Sequence, residues 1–327
     1  VEIVPDGPAM QDWSGCDLAV RFGQRVQPGT TGRKEAPGEK VMETTSTALH
    51  QKPATFTVRQ LSPALGAEIL GVDLRDPIDD ALKQKFLDVW HQHLVILLRN
   101  QKLDEDTQVR FAKTFGAPAK ITSGRTFSLK HPSVMLISNI REDGKPIGAL
   151  PDGEMHFHTD QCHQAIPAKA SMLYAIEIPS KGGNTLFANA YMAYATLPED
   201  IKHRIAGRRA LNAYDKDSTL RTANYDNAGS SCWHPVVRTH PATGRKALYV
   251  NRLMTREIEG LPRKESDAIL QKLFDHQEQP KFVYEHVWQP GDILMWDNRC
   301  TLHARTDFSA DERRMLRRVT ILGEKPA

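Results

Sequence analysis

A chain of 327 residues in which 43 Lys and Arg face 40 Asp and Glu carries a formal charge of only +3, too balanced for a protein that finds nucleic acid or a membrane surface by charge alone. With 40% hydrophobic residues, five Trp and eleven Phe, it can build a real core, so wholesale disorder is excluded, and no apolar run approaches the roughly 18 residues of a membrane span. Four cysteines without paired short spacing (Cys16, Cys162, Cys232 and Cys300) argue against a disulfide framework or a thiolate zinc site and suit a reducing, cytoplasmic setting.

Residues 1–52 are rich in Gly, Pro, Thr and Lys and lack apolar periodicity. They predict a flexible or loosely docked extension ahead of one domain over 53–327. Thr55 to Leu61 and Ala67 to Leu74 then read as strands. Asp79-Asp80 open a helix with Leu82, Phe86, Val89 and Trp90 on one face, running into the strand Leu94 to Arg99. Asp104 starts a second helix carrying Val109, Ala112 and Phe115, closed by Gly116. Pro198 begins a third with Ile201 and Ile205, stopped by Gly207. Ile269, Leu270, Leu273 and Phe274 define a fourth that ends before Pro280. Short strands dominate the second half: Ser171 to Ile178, Val236 to His240, Lys246 to Val250, Phe282 to Trp288, Ile293 to Trp296 and Leu316 to Leu322. Turn signals such as Lys181-Gly182-Gly183-Asn184 separate them. Without an alternating strand–helix rhythm, the expected class is mainly β with flanking helices, a jelly roll.

Thirteen histidines are the feature that stands out. The densest metal-capable cluster is Glu154-Met155-His156-Phe157-His158-Thr159-Asp160-Gln161-Cys162-His163. On an extended strand, residues two apart share a face, so His156, His158 and Asp160 would point one way. Two imidazoles and one carboxylate on one face of an octahedron leave three positions open, the arrangement suited to non-haem Fe(II) oxygen chemistry. An isolated His-x-Asp is more often a surface or hydrogen-bonded pair. A zinc hydrolase built on His-x-His-x-Asp is the alternative enzyme, weakened because Gln161 follows where the next His should stand. The candidate third ligand is His303, 143 residues past Asp160. Beyond it Arg314, Leu316 and Arg318 share one face of a half-buried strand, and a buried guanidinium requires an anionic partner.

These residues resemble the taurine dioxygenase and 2,4-dichlorophenoxyacetate dioxygenase family of Fe(II)/2-oxoglutarate-dependent enzymes. The likeness covers roughly Thr55 to Gly323. It is carried by Phe157-His158-Thr159-Asp160, by Ile178 to Thr185 around Gly182-Gly183, by His234 to Pro241, and by Trp296-Asp297-Asn298-Arg299-Cys300-Thr301-Leu302-His303. The resemblance implies a double-stranded β-helix and a single catalytic domain. It implies an iron triad of His158, Asp160 and His303, Thr185 on a carboxylate of 2-oxoglutarate, Arg314 on its distal carboxylate, and Arg318 on an anionic substrate. It further implies Fe(II), 2-oxoglutarate and O2 as the reacting partners, with release of succinate and CO2 as a small carboxylate or sulfonate is hydroxylated or oxidatively cleaved. Assembly as a dimer or tetramer is compatible with this picture, and no nucleic-acid or membrane partner is expected.

The sequence departs from the family pattern in three places. Phe157 stands where Trp commonly precedes the first ligand, Glu154 where taurine enzymes place Asn, and Ala119 to Arg125 lacks their His and Tyr, which argues against taurine. Glu154 facing Arg318 would favour an amino-acid-like substrate. Asp152, Asn212, Tyr214, Lys216, Arg252 and Met254 are further candidates for the pocket wall, while His156 reads as a supporting donor or a packing residue.

Overall fold

The computed structural model describes residues 56–121, 130–150, 153–215, 218–221 and 229–327; the extension expected over 1–52 lies outside them. Seven strands form the major sheet, in the order Thr57–Gln60, Ala67–Leu70, Val95–Leu98, Ile293–Asp297, Ala168–Glu177, Met315–Leu322 and Val134–Ser138. Four more form a minor sheet, in the order Val283–His286, Thr185–Asn189, Thr301–Arg305 and Met155–His158. Pairing is antiparallel throughout the two sheets except between Ala67–Leu70 and Val95–Leu98. Together they make the double-stranded β-helix.

Alternation along the central strands explains why the major sheet is apolar on both faces. Ile96 and Leu98, Ile293 and Met295, and Val319 and Ile321 face one core. Helices Asp80–His93 and Glu105–Lys113 cover it with Phe86, Trp90, Val109 and Phe111. Both helices begin where the sequence predicts. The Asp79 carboxylate accepts the Leu82 amide at 2.7 Å, and Asp104 accepts that of Thr107 at 2.8 Å, satisfying donors that a helix start leaves open. Val95, Leu97, Leu294, Trp296 and Leu316 point the other way, into a second core shared with Phe187 of the minor sheet.

A third core lies under helices Glu199–Ile205 and Arg263–Gln277, beside a small sheet of Ser230–Pro235, Arg209–Tyr214 and Thr255–Ile258. Arg209–Tyr214 and Thr255–Ile258 were not expected from the sequence. Neither was the helix Ala190–Ala195, six residues started by Asn189, whose side chain accepts the amides of Tyr191 and Met192. The strand expected over Ala67 to Leu74 is shorter, because the chain turns at Gly71 with φ +85°. Among the described residues, no helix is long and apolar enough to cross a membrane.

Candidate metal centre and anion pocket

The minor sheet brings together residues far apart in sequence. Antiparallel pairing of Thr301–Arg305 with Met155–His158 sets His303 directly opposite His158, and their rings lie 4.1 Å apart between centroids. The strand ends at His158, so Asp160 does not share its face by simple alternation. A turn carries it instead, with Gln161 at φ +57°. His156 is corrected accordingly: it is no part of the cluster, its Nδ1 accepting the Arg221 amide at 3.0 Å.

Asp160 Oδ1 lies 3.9 Å from His158 Nε2 and 3.7 Å from His303 Nε2, and all three residues are buried. One donor atom from each lies within 4.8 Å of the others. Donors sharing an ion through bonds of about 2.1 Å stand roughly 3 to 3.5 Å apart, so a contraction of under about 2 Å would close the set. The protonation states suit it. His158 Nδ1 donates to the His156 carbonyl at 3.0 Å, leaving the lone pair on Nε2. Burial lowers the pKa of both imidazoles, that of His303 strongly. Burial alone would raise Asp160, yet the Arg318 guanidinium, with a hydrogen bond from Ser171, holds it well below the usual carboxylate range. Neutral imidazoles beside an ionised carboxylate match what a divalent ion of intermediate softness takes.

The second oxygen of Asp160 is held from behind. Arg318 Nη2 stands 2.7 Å from Oδ2, and Ser171 Oγ donates to the same atom. Ser171 in turn accepts from Asn298 Nδ2 at 3.2 Å, and Asn298 Oδ1 accepts Trp296 Nε1–H at 2.9 Å. The block Trp296-Asp297-Asn298-Arg299 therefore supports the cluster. Asp297 pairs with Arg299 and with His240 Nε2 at 3.0 Å, while His240 Nδ1 accepts the amides of Ala242 and Thr243. His91, His240 and Asp297 also approach one another as a metal set would. However, Arg299 occupies both Asp297 oxygens, and Lys169 and Arg299 add positive charge beside His91, so Asp297 is already engaged by Arg299 and His240.

A cavity of about 1080 Å³ opens on the triad. Thr185 lines it, its hydroxyl accepting Trp288 Nε1–H at 3.0 Å. Arg314 lines it too, 2% exposed, with Nη2 on the Gly183 carbonyl at 3.2 Å and no partner for Nε among the described residues. Burial, then the charge of Arg305, brings the Arg314 pKa down to about 9. Gly183 adopts φ +65°, and a Cβ there would stand 3.1 Å from Arg314 Nε; the Gly-Gly turn is what lets the backbone approach this guanidinium.

Arg318, Lys120, Leu150, Leu253 and Met254 line further parts of the cavity. His163 stacks on Tyr214 there, centroids 4.7 Å apart, its pKa pushed to about 4 by burial. Glu154 is exposed and outside the lining, so it does not oppose Arg318. Asn212 is bonded to Thr255 and Arg252 to Asp275 and Glu278; neither reaches the cavity, and Asp152 and Lys216 fall outside the described residues. Buried Cys162 and Cys300 have raised thiol pKa values. Ser171 and Arg305, which does line the cavity, were missed by sequence reasoning.

Three comparisons bear on this site. A family model described as taurine catabolism dioxygenase TauD, TfdA family matches residues 57–320. Pentalenolactone F synthase of Streptomyces avermitilis is 34% identical over 284 residues, covering 81% of this chain and 93% of the relative. Alpha-ketoglutarate-dependent 2,4-dichlorophenoxyacetate dioxygenase of a Burkholderia species is 34% identical over 282 residues, 81% of this chain and 94% of the relative. A crystal structure of AAD-2 in complex with Mn(II) and N-oxalylglycine superposes with a TM-score of 0.69 at 27% identity, covering 83% of this chain and 99% of that one.

Proposed function

The chain belongs to the taurine catabolism dioxygenase TauD, TfdA family, and on that premise we propose that it is an Fe(II)- and 2-oxoglutarate-dependent dioxygenase acting on a small anionic organic substrate. The observation that carries the reading is the convergence of His158, Asp160 and His303 donor atoms within 4.8 Å, in a cavity that Arg314 and Thr185 also line. His158, Asp160 and His303 would hold a ferrous ion, which would supply O2 activation coupled to oxidative decarboxylation of the co-substrate to succinate and CO2. Everything else is work for side chains. His158 and His303 present neutral nitrogens. Asp160 would offer one oxygen to the metal, while Arg318 and Ser171 hold the other. Arg314, a planar fork, pairs the distal carboxylate of 2-oxoglutarate with the Thr185 hydroxyl beside it.

For the primary substrate, Arg318 and Lys120 supply positive charge, and Leu150, Leu253 and Met254 supply an apolar wall. That combination fits a carboxylate or sulfonate on an apolar body, hydroxylated or oxidatively cleaved. The amino-acid-like substrate loses its support with Glu154 exposed. The 2,4-dichlorophenoxyacetate enzyme and the Mn(II) complex among the relatives favour this chemistry over a zinc hydrolase. Succinate release from 2-oxoglutarate is the test: Fe(II) with ascorbate should support it across a panel of organic acids and zinc-loaded protein should not. Turnover with zinc alone, or none with any acid, would sink the reading.

A further inference from the structure

His163 stands three residues past Asp160, in the turn that carries that candidate ligand, and it lines the cavity. Both of its neighbours in the chain are pinned. Buried Cys162 accepts Asn251 Nδ2–H at 3.3 Å, and the Gln164 carbonyl accepts His234 Nε2–H at 2.8 Å. The imidazole lies nearly flat against Tyr214, with 4.7 Å between centroids and 16° between planes. Its Nδ1 is enclosed and has no hydrogen-bond partner among the described residues. A ring held in this way presents its polar edge in a fixed direction. The amides of Gln161 and Gln164 and the hydroxyl of Ser218, in the same lining, can each donate or accept and so discriminate less.

With its pKa pushed to about 4 by burial, the ring is neutral near pH 7 and carries a single N–H. An enclosed N–H without an acceptor is a rarer and costlier orphan than an enclosed lone pair. The proton therefore belongs on Nε2. Because the residue as a whole is only half-buried, that edge is the one left for a ligand, in a cavity whose wall includes apolar Leu253 and Met254. We propose that His163 is a specificity-determining residue for the primary substrate, its Nε2–H donating to an ether or carbonyl oxygen on the body of the acid. The assignment rests on the dioxygenase reading above and deepens it: the pocket selects acids that carry an acceptor oxygen apart from their anionic group. An acid with a plain hydrocarbon body would leave the N–H desolvated and unpaired. The oxygen belongs close to the reacting centre, because the charge of Asp160 reaches His163.

The test is calorimetric binding of paired acids to protein loaded with Mn(II) and 2-oxoglutarate in the absence of O2. Phenoxyacetate is compared with 3-phenylpropanoate, and 4-oxo-4-phenylbutanoate with 4-phenylbutanoate, so that each pair exchanges an acceptor oxygen for hydrocarbon. The parent should bind the oxygen-bearing member of at least one pair roughly 3- to 10-fold more tightly. His163→Phe, which keeps a ring against Tyr214, should abolish that preference by weakening the oxygen-bearing acid alone. His163→Gln, which keeps a donor, should retain part of it and carries the comparison should the phenylalanine variant not fold. No preference in the parent, a preference undiminished in the variants, or equal losses for both members of a pair would overturn the assignment. So would a parent that takes up 2-oxoglutarate but none of these acids. Failure of the parent to bind 2-oxoglutarate would instead overturn the dioxygenase reading and this assignment with it.

Discussion

Arg314 is the residue on which co-substrate recognition turns in the proposed reaction. It is almost wholly enclosed, its Nε finds no partner among the described residues, and its pKa is drawn down to about 9. A bound carboxylate relieves both conditions at once. Removing one partner of a buried charge pair costs about 3–5 kcal/mol, so Arg314→Ala should weaken 2-oxoglutarate binding by roughly two to three and a half orders of magnitude. Titration calorimetry with the parent and the variant checks this, and equal affinities would show Arg314 to be misassigned. Arg318 is a different case. Sequence reasoning gave it a substrate anion alone, whereas its Nη2 lies on Asp160 and within 3.2 Å of Ser171 Oγ. Its charge therefore does double duty, keeping the candidate ligand ionised as well as facing the cavity.

Among the elements, the Gly182-Gly183 turn shows how tightly backbone and site are coupled. Gly183→Ala would place a methyl group 3.1 Å from Arg314 Nε in a left-handed conformation that costs roughly 1–2 kcal/mol for a residue with a Cβ. The expected outcome is a folded protein with a Tm lower by a few degrees and a 2-oxoglutarate Kd raised at least as far as the Tm loss implies; thermal melts and binding isotherms report the two separately. Elements were legible where local pattern and tertiary role agree. The run Leu94 to Leu98 announces a strand buried on both faces, and Asp79 and Asp104 announce helix starts. Ala190–Ala195 was not legible, because six residues are too few to display a helical period. Arg209–Tyr214 carries polar Asn212 in its middle, which hides its alternation; the hydrogen bond from Thr255 satisfies that side chain in the fold. The His-x-Asp pair could be read but not its geometry, since the turn after His158, and not strand alternation, delivers Asp160. Ser171 and Arg305 gain their meaning only from register across distant strands, which no local window contains.

For the molecule as a whole, the cluster is a clamp between the two sheets. Asp160 reaches Ser171 and Arg318 of the major sheet, while His158 and His303 belong to the minor one. Filling it should therefore stabilise the entire domain. At ligand concentrations about 100 times Kd, linkage adds about 2.7 kcal/mol, or roughly 5–10 °C in Tm for a domain of this size. Differential scanning calorimetry should find that increment on adding Mn(II) and 2-oxoglutarate together to the parent, and find it missing in His303→Ala. An identical increment in the variant would place the metal elsewhere.

The cross-strand pairing of His158 with His303 also bears on how the protein is made. While a ribosome is still adding the 144 residues between them, a nascent chain carries two of the three candidate donors, His158 and Asp160. On the proposed reading, a complete metal site can form only once the late strand has docked.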